Sequence, residues 1–241
     1  MCSPTHHREL PLARQEQNVK ISVVIPTLNA AATLPGTLAS IGGASTPGDE
    51  VVVADGGSTD TTAAAAAEAG ARVLVVRSGR GPQLAAGIAA ATGDWLLLLH
   101  ADTRLAPDWR IQAVAHMRAN PGKAAFFRFL LDSADPRARR LERLVAWRCR
   151  VLALPYGDQG LLIHRDALRQ AGGMRPLPLM EDVDLIRRLG RRRLVGLAAG
   201  AVTSAAKWER DGWYRRSCRN LLCLSLWQLG VPPARIARIY G

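Results

Sequence analysis

The 241-residue chain is 48% hydrophobic and 22% charged, with 22 glycines and 14 prolines. These fractions exclude intrinsic disorder, a collagen-like repeat and a coiled coil, and the length allows one α/β domain with a substantial core. The formal net charge of +12 is unevenly placed: residues 1–120 carry 9 Lys+Arg against 10 Asp+Glu, and residues 121–241 carry 23 against 10. Residues 1–19 are polar and aperiodic and read as a loose tail. After them, Ile21 to Ile25 is a short β-branched run, followed by a helical stretch around 31–41 and a Gly/Pro/Ser-rich loop at 42–49. Val51 to Ala54 repeats the strand signal, and Thr61 to Ala69 is an Ala-rich helix. Val73 to Val76, Pro82 to Ala91 and Trp95 to Leu99 give a third strand, a third helix and a fourth strand. Near-continuous apolar runs alternating with helices predict a doubly wound, mostly parallel sheet covered on both faces.

The second half is less regular. Arg137 to Leu154 has helical spacing, Leu161 to Ile163 reads as a strand, Glu181 to Leu189 as a short helix, and Asn220 to Leu229 as an amphipathic helix. No repeat and no long linker divides the chain, so a single domain is expected. Cys2, Cys149, Cys218 and Cys223 form no C-x-x-C pair and read as reduced thiols. No run approaches the ~18 apolar residues of a membrane span, and the opening residues lack a secretory pattern. The expectation is a soluble, cytoplasmic protein.

In open parallel sheets, ligands bind beyond the carboxyl ends of the strands, where the winding reverses. Each of those ends is polar here. They carry Pro26-Thr27-Leu28-Asn29, Asp55-Gly56-Gly57-Ser58-Thr59-Asp60, Ser78-Gly79-Arg80-Gly81-Pro82-Gln83 and His100-Ala101-Asp102. A nucleotide is the natural occupant: a carboxylate for base or ribose, Arg for phosphate, glycines for close backbone approach. Singly these pieces have other readings. Asp55 with Ser58 also fits an Asx turn, and Asp102 a turn after a buried strand.

Taken together, Val23-Val24-Ile25-Pro26-Thr27-Leu28-Asn29, Asp55-Gly56-Gly57-Ser58-Thr59-Asp60 and Leu99-His100-Ala101-Asp102 resemble a family 2 glycosyltransferase with the GT-A fold. Tyr156-Gly157-Asp158-Gln159-Gly160, Gly172-Gly173 and Met180-Glu181-Asp182-Val183-Asp184-Leu185 extend the resemblance. The ending, from Thr203-Ser204-Ala205 through Trp208-Glu209-Arg210 to Leu229-Gly230-Val231, is similar to a small soluble subgroup. That subgroup is associated with radical-SAM and selenium gene sets and with arsenosugar biosynthesis. The resemblance implies a GT-A domain over 20–241, with a nucleotide-binding half at 20–104, an acceptor half at 105–205 and C-terminal helices at 206–241.

By resemblance, Pro26, Thr27, Asn29 and Asp55 hold the base and ribose of a nucleotide sugar, usually a UDP-sugar, and Arg80 and Gln83 belong to the loop that closes over it. Asp102 matches the last carboxylate of a D-x-D motif that holds Mg²⁺ or Mn²⁺ against the diphosphate. The first Asp of that motif is His100 here, which reads as a ligand, a sugar contact or a strand cap. Asp182 matches the catalytic base, which takes the proton of an attacking acceptor hydroxyl, with in-line attack giving inversion. Asp158, Gln159, Glu181 and Trp208 fall on the acceptor side; the acceptor is unknown. The helix-dipole reading of Glu181 and Asp182 needs no catalysis.

Two other functions stand beside this one. A sugar-1-phosphate nucleotidyltransferase shares a related sheet but opens with a Gly-rich basic loop that is absent here. The basic balance suggests a nucleic-acid binder, against which stand the missing motifs and 5% aromatic content; no nucleic acid is expected as a partner. Arg137, Arg139, Arg140, Arg143, Arg148 and Arg150 flank an apolar stripe, which fits peripheral contact with an anionic membrane. Packing on the core or on a second subunit in a homo-oligomer fits the same stripe.

Overall fold

The computed structural model describes residues 19–42 and 48–240. Apart from Val19, which packs on the core, the expected tail lies outside the described residues, as does most of the 42–49 loop.

One eight-stranded sheet organises the chain, in the order β3-β2-β1-β4-β7-β6-β8-β5. Its first half is β1 (Ile21–Thr27), β2 (Glu50–Asp55), β3 (Arg72–Val75) and β4 (Trp95–Leu98), all parallel. The helices between them are α1 (Leu34–Gly42), α2 (Thr62–Glu68) and α3 (Arg80–Ala90). This is the alternation expected from sequence, with boundaries shifted by at most three residues. All seven residues of β1 are buried, because a central parallel strand is covered on both faces and has no solvent side to alternate towards.

The second half mixes directions. β5 (Thr103–Leu105), β6 (Ala124–Leu131), β7 (Leu161–His164) and β8 (Leu194–Thr203) extend the sheet. β7 runs antiparallel to β4 and β6, β6 parallel to β8, and β5 antiparallel to β8. Between them lie α4 (Trp109–Ala119), α5 (Pro136–Leu152), α6 (Arg165–Gln170) and α7 (Glu181–Leu189), followed by α8 (Ala206–Asp211), α9 (Trp213–Gln228) and α10 (Pro233–Tyr240). Of these, β5, β6, β8, α4 and α6 carried no sequence expectation; α8, α9 and α10 fall in the segment 206–241 expected as C-terminal helices, and α9 begins seven residues before Asn220.

Alternate β1 residues feed opposite cores. Ile21, Val23 and Ile25 pack with Leu34 of α1, Ala66 of α2 and Trp109 of α4. Val24 points the other way, into a core with Leu84 of α3, Leu185 of α7 and Leu224 of α9. A third cluster joins Phe129 and Leu131 of β6 to Val145 of α5, Trp208 of α8 and Trp213 of α9. The apolar stripe on α5 is divided: Val145 is buried, whereas Leu144, Trp147, Val151 and Leu152 face outward. Its arginines are divided too. Arg137 and Arg139 pair with Asp135 and Glu142, and Arg148 lies 3.5 Å over the Tyr156 ring. Among the described residues, no helix is long and apolar enough to cross a membrane.

Candidate functional site

The chain winds outward from β1 to β2 and β3, then returns to place β4 on the other side of β1. The winding therefore reverses between β1 and β4, the position at which open α/β sheets bind ligands. A cleft of about 500 Å³ opens there, lined by Pro26, Thr27, Asn29, Arg80, Gln83 and Asp102 among others.

The strand-end residues are tied to each other before any ligand arrives. Asp55 accepts from the Gly57 and Ser58 amides at 3.1 and 2.8 Å, and from the Ser58 and Thr27 hydroxyls at 2.5 and 2.9 Å. Against the effect of burial, these four donors hold its carboxyl below the usual range. The Asx-turn reading of Asp55 is thus realised. Asn29 sits at φ 50°, a left-handed position that Asn tolerates, and its Oδ1 accepts from the Thr59 amide at 2.9 Å. Gln83 is buried, and its amide donates to the Thr27 and Ala54 carbonyls at 2.6 and 2.8 Å. Thr27 and Gln83 therefore line the wall of the cleft, with Asp55 buried behind Thr27 and bracing it, while Asn29 and Arg80 remain more exposed at its mouth.

A smaller cavity of about 110 Å³ adjoins this cleft and shares Arg80, His100, Asp102 and Lys207 with it. Asp182 and Asp158 line it as well, so the structure gathers in one place the carboxylates that the sequence separates by up to 80 positions. Asp102 accepts a hydrogen bond from Lys207 Nζ at 2.9 Å. Burial alone would raise its pKa, but Lys207 and His100 outweigh that and hold it below the usual value. Burial, then Arg80, pushes His100 down to about 4, so its imidazole is neutral at physiological pH.

Asp182 stands in the first turn of α7, aimed by Met180, whose left-handed φ of 65° breaks the chain direction just before the helix. Its Oδ2 accepts from the Gly157 amide at 2.7 Å and its Oδ1 from the Val183 amide at 2.7 Å. Gly157 is required by space: a Cβ there would lie 2.5 Å from His100 Nε2 and 3.2 Å from Asp182 Oδ2. Asp184 accepts from Arg175 and Arg188 at 3.0 and 2.8 Å, a structural ion pair.

The four residues expected on the acceptor side are placed differently from one another. Asp158 lines the cavity with a buried Oδ1 that has no partner among the described residues; burial first, with Asp182 and Asp102 adding, pushes it up to about 6 against the pull of Arg148. Gln159 does not face the cavity. Its amide donates to the Phe127 carbonyl at 3.0 Å, fixing the turn that carries Asp158. Glu181 is 0% exposed and lies behind Arg80, whose Nε is 3.6 Å away. That placement takes it out of the acceptor side, because successive residues of the α7 helix point about 100° apart. Trp208 is a core residue whose ring meets Phe129 edge-on and only touches the cavity wall. Lys207, Tyr156, Arg216 and Asn220 line the cavity without having been singled out. The one available signal was Lys207, a rare lysine in an arginine-rich half.

No group of three or more His, Cys, Asp or Glu among the described residues could hold a metal ion unaided. Asp102 alone suits a hard cation that keeps most of its shell as water and ligand phosphate oxygens.

The pattern of the family described as glycosyl transferase family 2 matches residues 22–175. Curated relatives include the PGL/p-HBAD biosynthesis glycosyltransferases of Mycobacterium tuberculosis and Mycobacterium bovis, 42% identical over 91 residues. That stretch is 35% of this chain and 36% of theirs, so the match spans about a third of the curated relatives' length. Among solved structures, glucosyl-3-phosphoglycerate synthase from M. tuberculosis, crystallised with Mn²⁺, UDP and glucosyl-3-phosphoglycerate, gives a TM-score of 0.62 at 24% identity. It covers 95% of this chain and 88% of its own. S. aureus TarS, residues 1–349, gives 0.62 at 16% identity over 92% of this chain and 69% of that one. At such identities the likeness establishes the fold, which is the GT-A architecture expected from sequence.

One expectation is overturned. The relatives lie with mycobacterial PGL/p-HBAD enzymes and not with arsenosugar or selenium pathways. The residues on which that subgroup rested, Thr203 to Val231, fall outside the matched 22–175. The motifs that persist are those of the strand ends, and by them the chain belongs to glycosyl transferase family 2, an enzyme family of sugar transfer.

Proposed function

We propose that the chain is an inverting, metal-assisted transferase moving one sugar from a UDP-sugar to an acceptor hydroxyl, with Asp182 as general base. One observation carries this: the cavity holding Asp182 opens into the strand-end cleft through a shared border of Arg80, His100, Asp102 and Lys207. A donor lying in the cleft would present its anomeric carbon at that border, with a hydroxyl on the far side within reach of Asp182. The Gly157 and Val183 amides fix the carboxylate's orientation, which a base needs before its pKa matters. The hydroxyl loses its proton to Asp182 as it attacks, and the diphosphate departs on the opposite face.

Arg80 and Lys207 would meet the charge that develops on the diphosphate. A divalent cation on Asp102, Mn²⁺ by analogy with the synthase structures, would neutralise that charge further. In this reading Pro26, Thr27, Asn29, Asp55 and Gln83 form the base and ribose wall, and Asp158 faces the acceptor. The division into nucleotide-binding, acceptor and C-terminal segments belongs to the same proposal. The outward Arg140, Arg143 and Arg150 on α5 support contact with anionic lipid, which vesicle flotation at low and high salt tests.

The direct test of the reaction is incubation with a panel of UDP-sugars and Mn²⁺. Slow donor hydrolysis releasing UDP, lost in Asp102→Asn, is expected. Release of pyrophosphate from sugar-1-phosphate and UTP would overturn it in favour of nucleotidyl transfer.

A further inference from the structure

The outward faces of α5 and α9 do not meet. Between them runs a second cleft of about 390 Å³, walled by Leu144, Trp147 and Leu152 on one side and Cys218, Leu221 and Leu224 on the other, with Phe129 at its floor. Leu144, Trp147 and Leu221 are 57%, 55% and 63% exposed. Large apolar side chains left in water on two facing helices form a patch that soluble chains ordinarily cover or use.

The inner end of this cleft identifies its use. Tyr156, Asp158, Trp208 and Asn220 line both the apolar cleft and the cavity that holds Asp182. At that junction sits Asp158, with its unpartnered buried oxygen. Arg148, flat on Tyr156 at 3.5 Å, stiffens the wall there. An occupant that fills the cleft therefore has an apolar length between the helices and a polar, hydrogen-bond-donating end at the carboxylates. A protein partner seated on α5 and α9 would satisfy the apolar walls but leave the continuity with the cavity unexplained.

We infer that the α5/α9 cleft binds the hydrocarbon chain of an amphipathic, hydroxyl-bearing acceptor, with Asp158 receiving the hydroxyl end beside Asp182. This rests on the glycosyl-transfer reading above and adds the acceptor's chemical class to it. Burial of methylene groups should strengthen binding about fourfold for each CH₂ until the cleft is filled.

The test uses the full chain and a fluorescent single-chain amphiphile with a hydroxyl end, 11-(dansylamino)undecan-1-ol, held below its solubility limit, alongside calorimetric titration of UDP with Mn²⁺. Wild type is expected to bind one probe per chain saturably, and more weakly as the alkyl spacer is shortened. Leu144→Glu/Leu221→Glu should raise the probe Kd at least tenfold, and Leu144→Ser/Leu221→Ser should raise it less. Ile111→Glu, an exposed site on α4 across the sheet, should leave it unchanged. UDP binding should persist in every variant, which separates this inference from the donor assignment: loss of UDP binding in wild type would defeat the donor reading instead. The inference is overturned if wild type binds UDP but not the probe, or if the double Glu and double Ser variants both bind the probe as wild type does. It is equally overturned if sedimentation shows that the substitutions dissolve a dimer formed through this face, or if the protein takes up bilayer vesicles but no monomeric probe.

Discussion

Two carboxylates of the strand-end half, Asp55 and Asp60, and two of the second half, Asp158 and Glu181, live in opposite conditions. Asp55 has four donors on its two oxygens, and Asp60 accepts from the Thr62 amide, the Thr62 hydroxyl and the Ala31 amide; both stay ionised with pKa values below normal. Glu181 and Asp158 have buried oxygens without hydrogen-bond partners among the described residues, and burial pushes them up to about 7 and 6, in Glu181 against an ion pair with Arg80 at 3.6 Å. A buried carboxylate without donors is costly, and such groups concentrate where chemistry is done. In the proposed reading, the strand-end wall is complete in the free protein, and the side of the site that holds Asp158 is completed by what it binds.

The largest effect should come from the base. Asp182→Asn is expected to lower turnover by ~10²–10⁴-fold while leaving donor affinity unchanged, because Asp182 belongs to the second half and not to the cleft wall. Equal turnover in a correctly folded variant would return Asp182 to a helix-end role. Next comes Gly157→Ala, whose methyl would be driven into His100 and Asp182. Displacing a reacting group by about 1 Å can cost about 10²-fold, and steady-state kinetics should show the loss mainly in kcat.

The strand-end wall should respond in stability instead. Asp55→Ala leaves the Thr27 hydroxyl and the 57–58 amides without their acceptor, at a cost of about 1–3 kcal/mol, measurable by denaturant titration. A variant of unaltered stability would show that the wall is not self-supporting. The smallest effect is a pH slope. Glu181 is raised in the fold from 4.5 to about 7, so the folded state binds its proton more tightly than the unfolded chain does. The stability this contributes is full below about 4.5 and is lost as pH rises through about 7. Glu181→Gln should flatten that decline between pH 5 and 8; an unchanged slope would mean that another group carries it.

The strand-end half was legible because its elements are locally consistent. β1, β2 and β4 are short apolar runs, β-branched in β1 and β2 and bounded by turn residues, which suits buried strands, and the turn chemistry of Asp55 and Asn29 is written in adjacent residues. β8 was not legible. Its sequence, Leu-Val-Gly-Leu-Ala-Ala-Gly-Ala-Val-Thr, has little strand preference. Gly196 and Gly200 give space to Phe126 and Leu130 of β6, so the strand is specified by its partners, as strand preference often is. α7 was recovered with its observed ends because Glu181, Asp182 and Asp184 at its start and Arg187 and Arg188 at its end mark them locally. The pairings that define the site, Lys207 with Asp102 and Gly157 with Asp182, join residues 105 and 25 positions apart. No local pattern announces them. The burial of Glu181 behind Arg80 was hidden for the same reason, since spacing along a helix does not say what stands across from it.

The account depends most on the strand-end cleft being a nucleotide-sugar site completed through Asp102. Calorimetric titration of UDP into wild type and Asp102→Asn, each with and without Mn²⁺, measures this directly. Binding that Mn²⁺ strengthens in wild type, and that Asp102→Asn makes weak and indifferent to Mn²⁺, is the predicted result. Failure of wild type to bind UDP under either condition, or an Asp102→Asn variant with the same affinity and the same response to Mn²⁺, would contradict it.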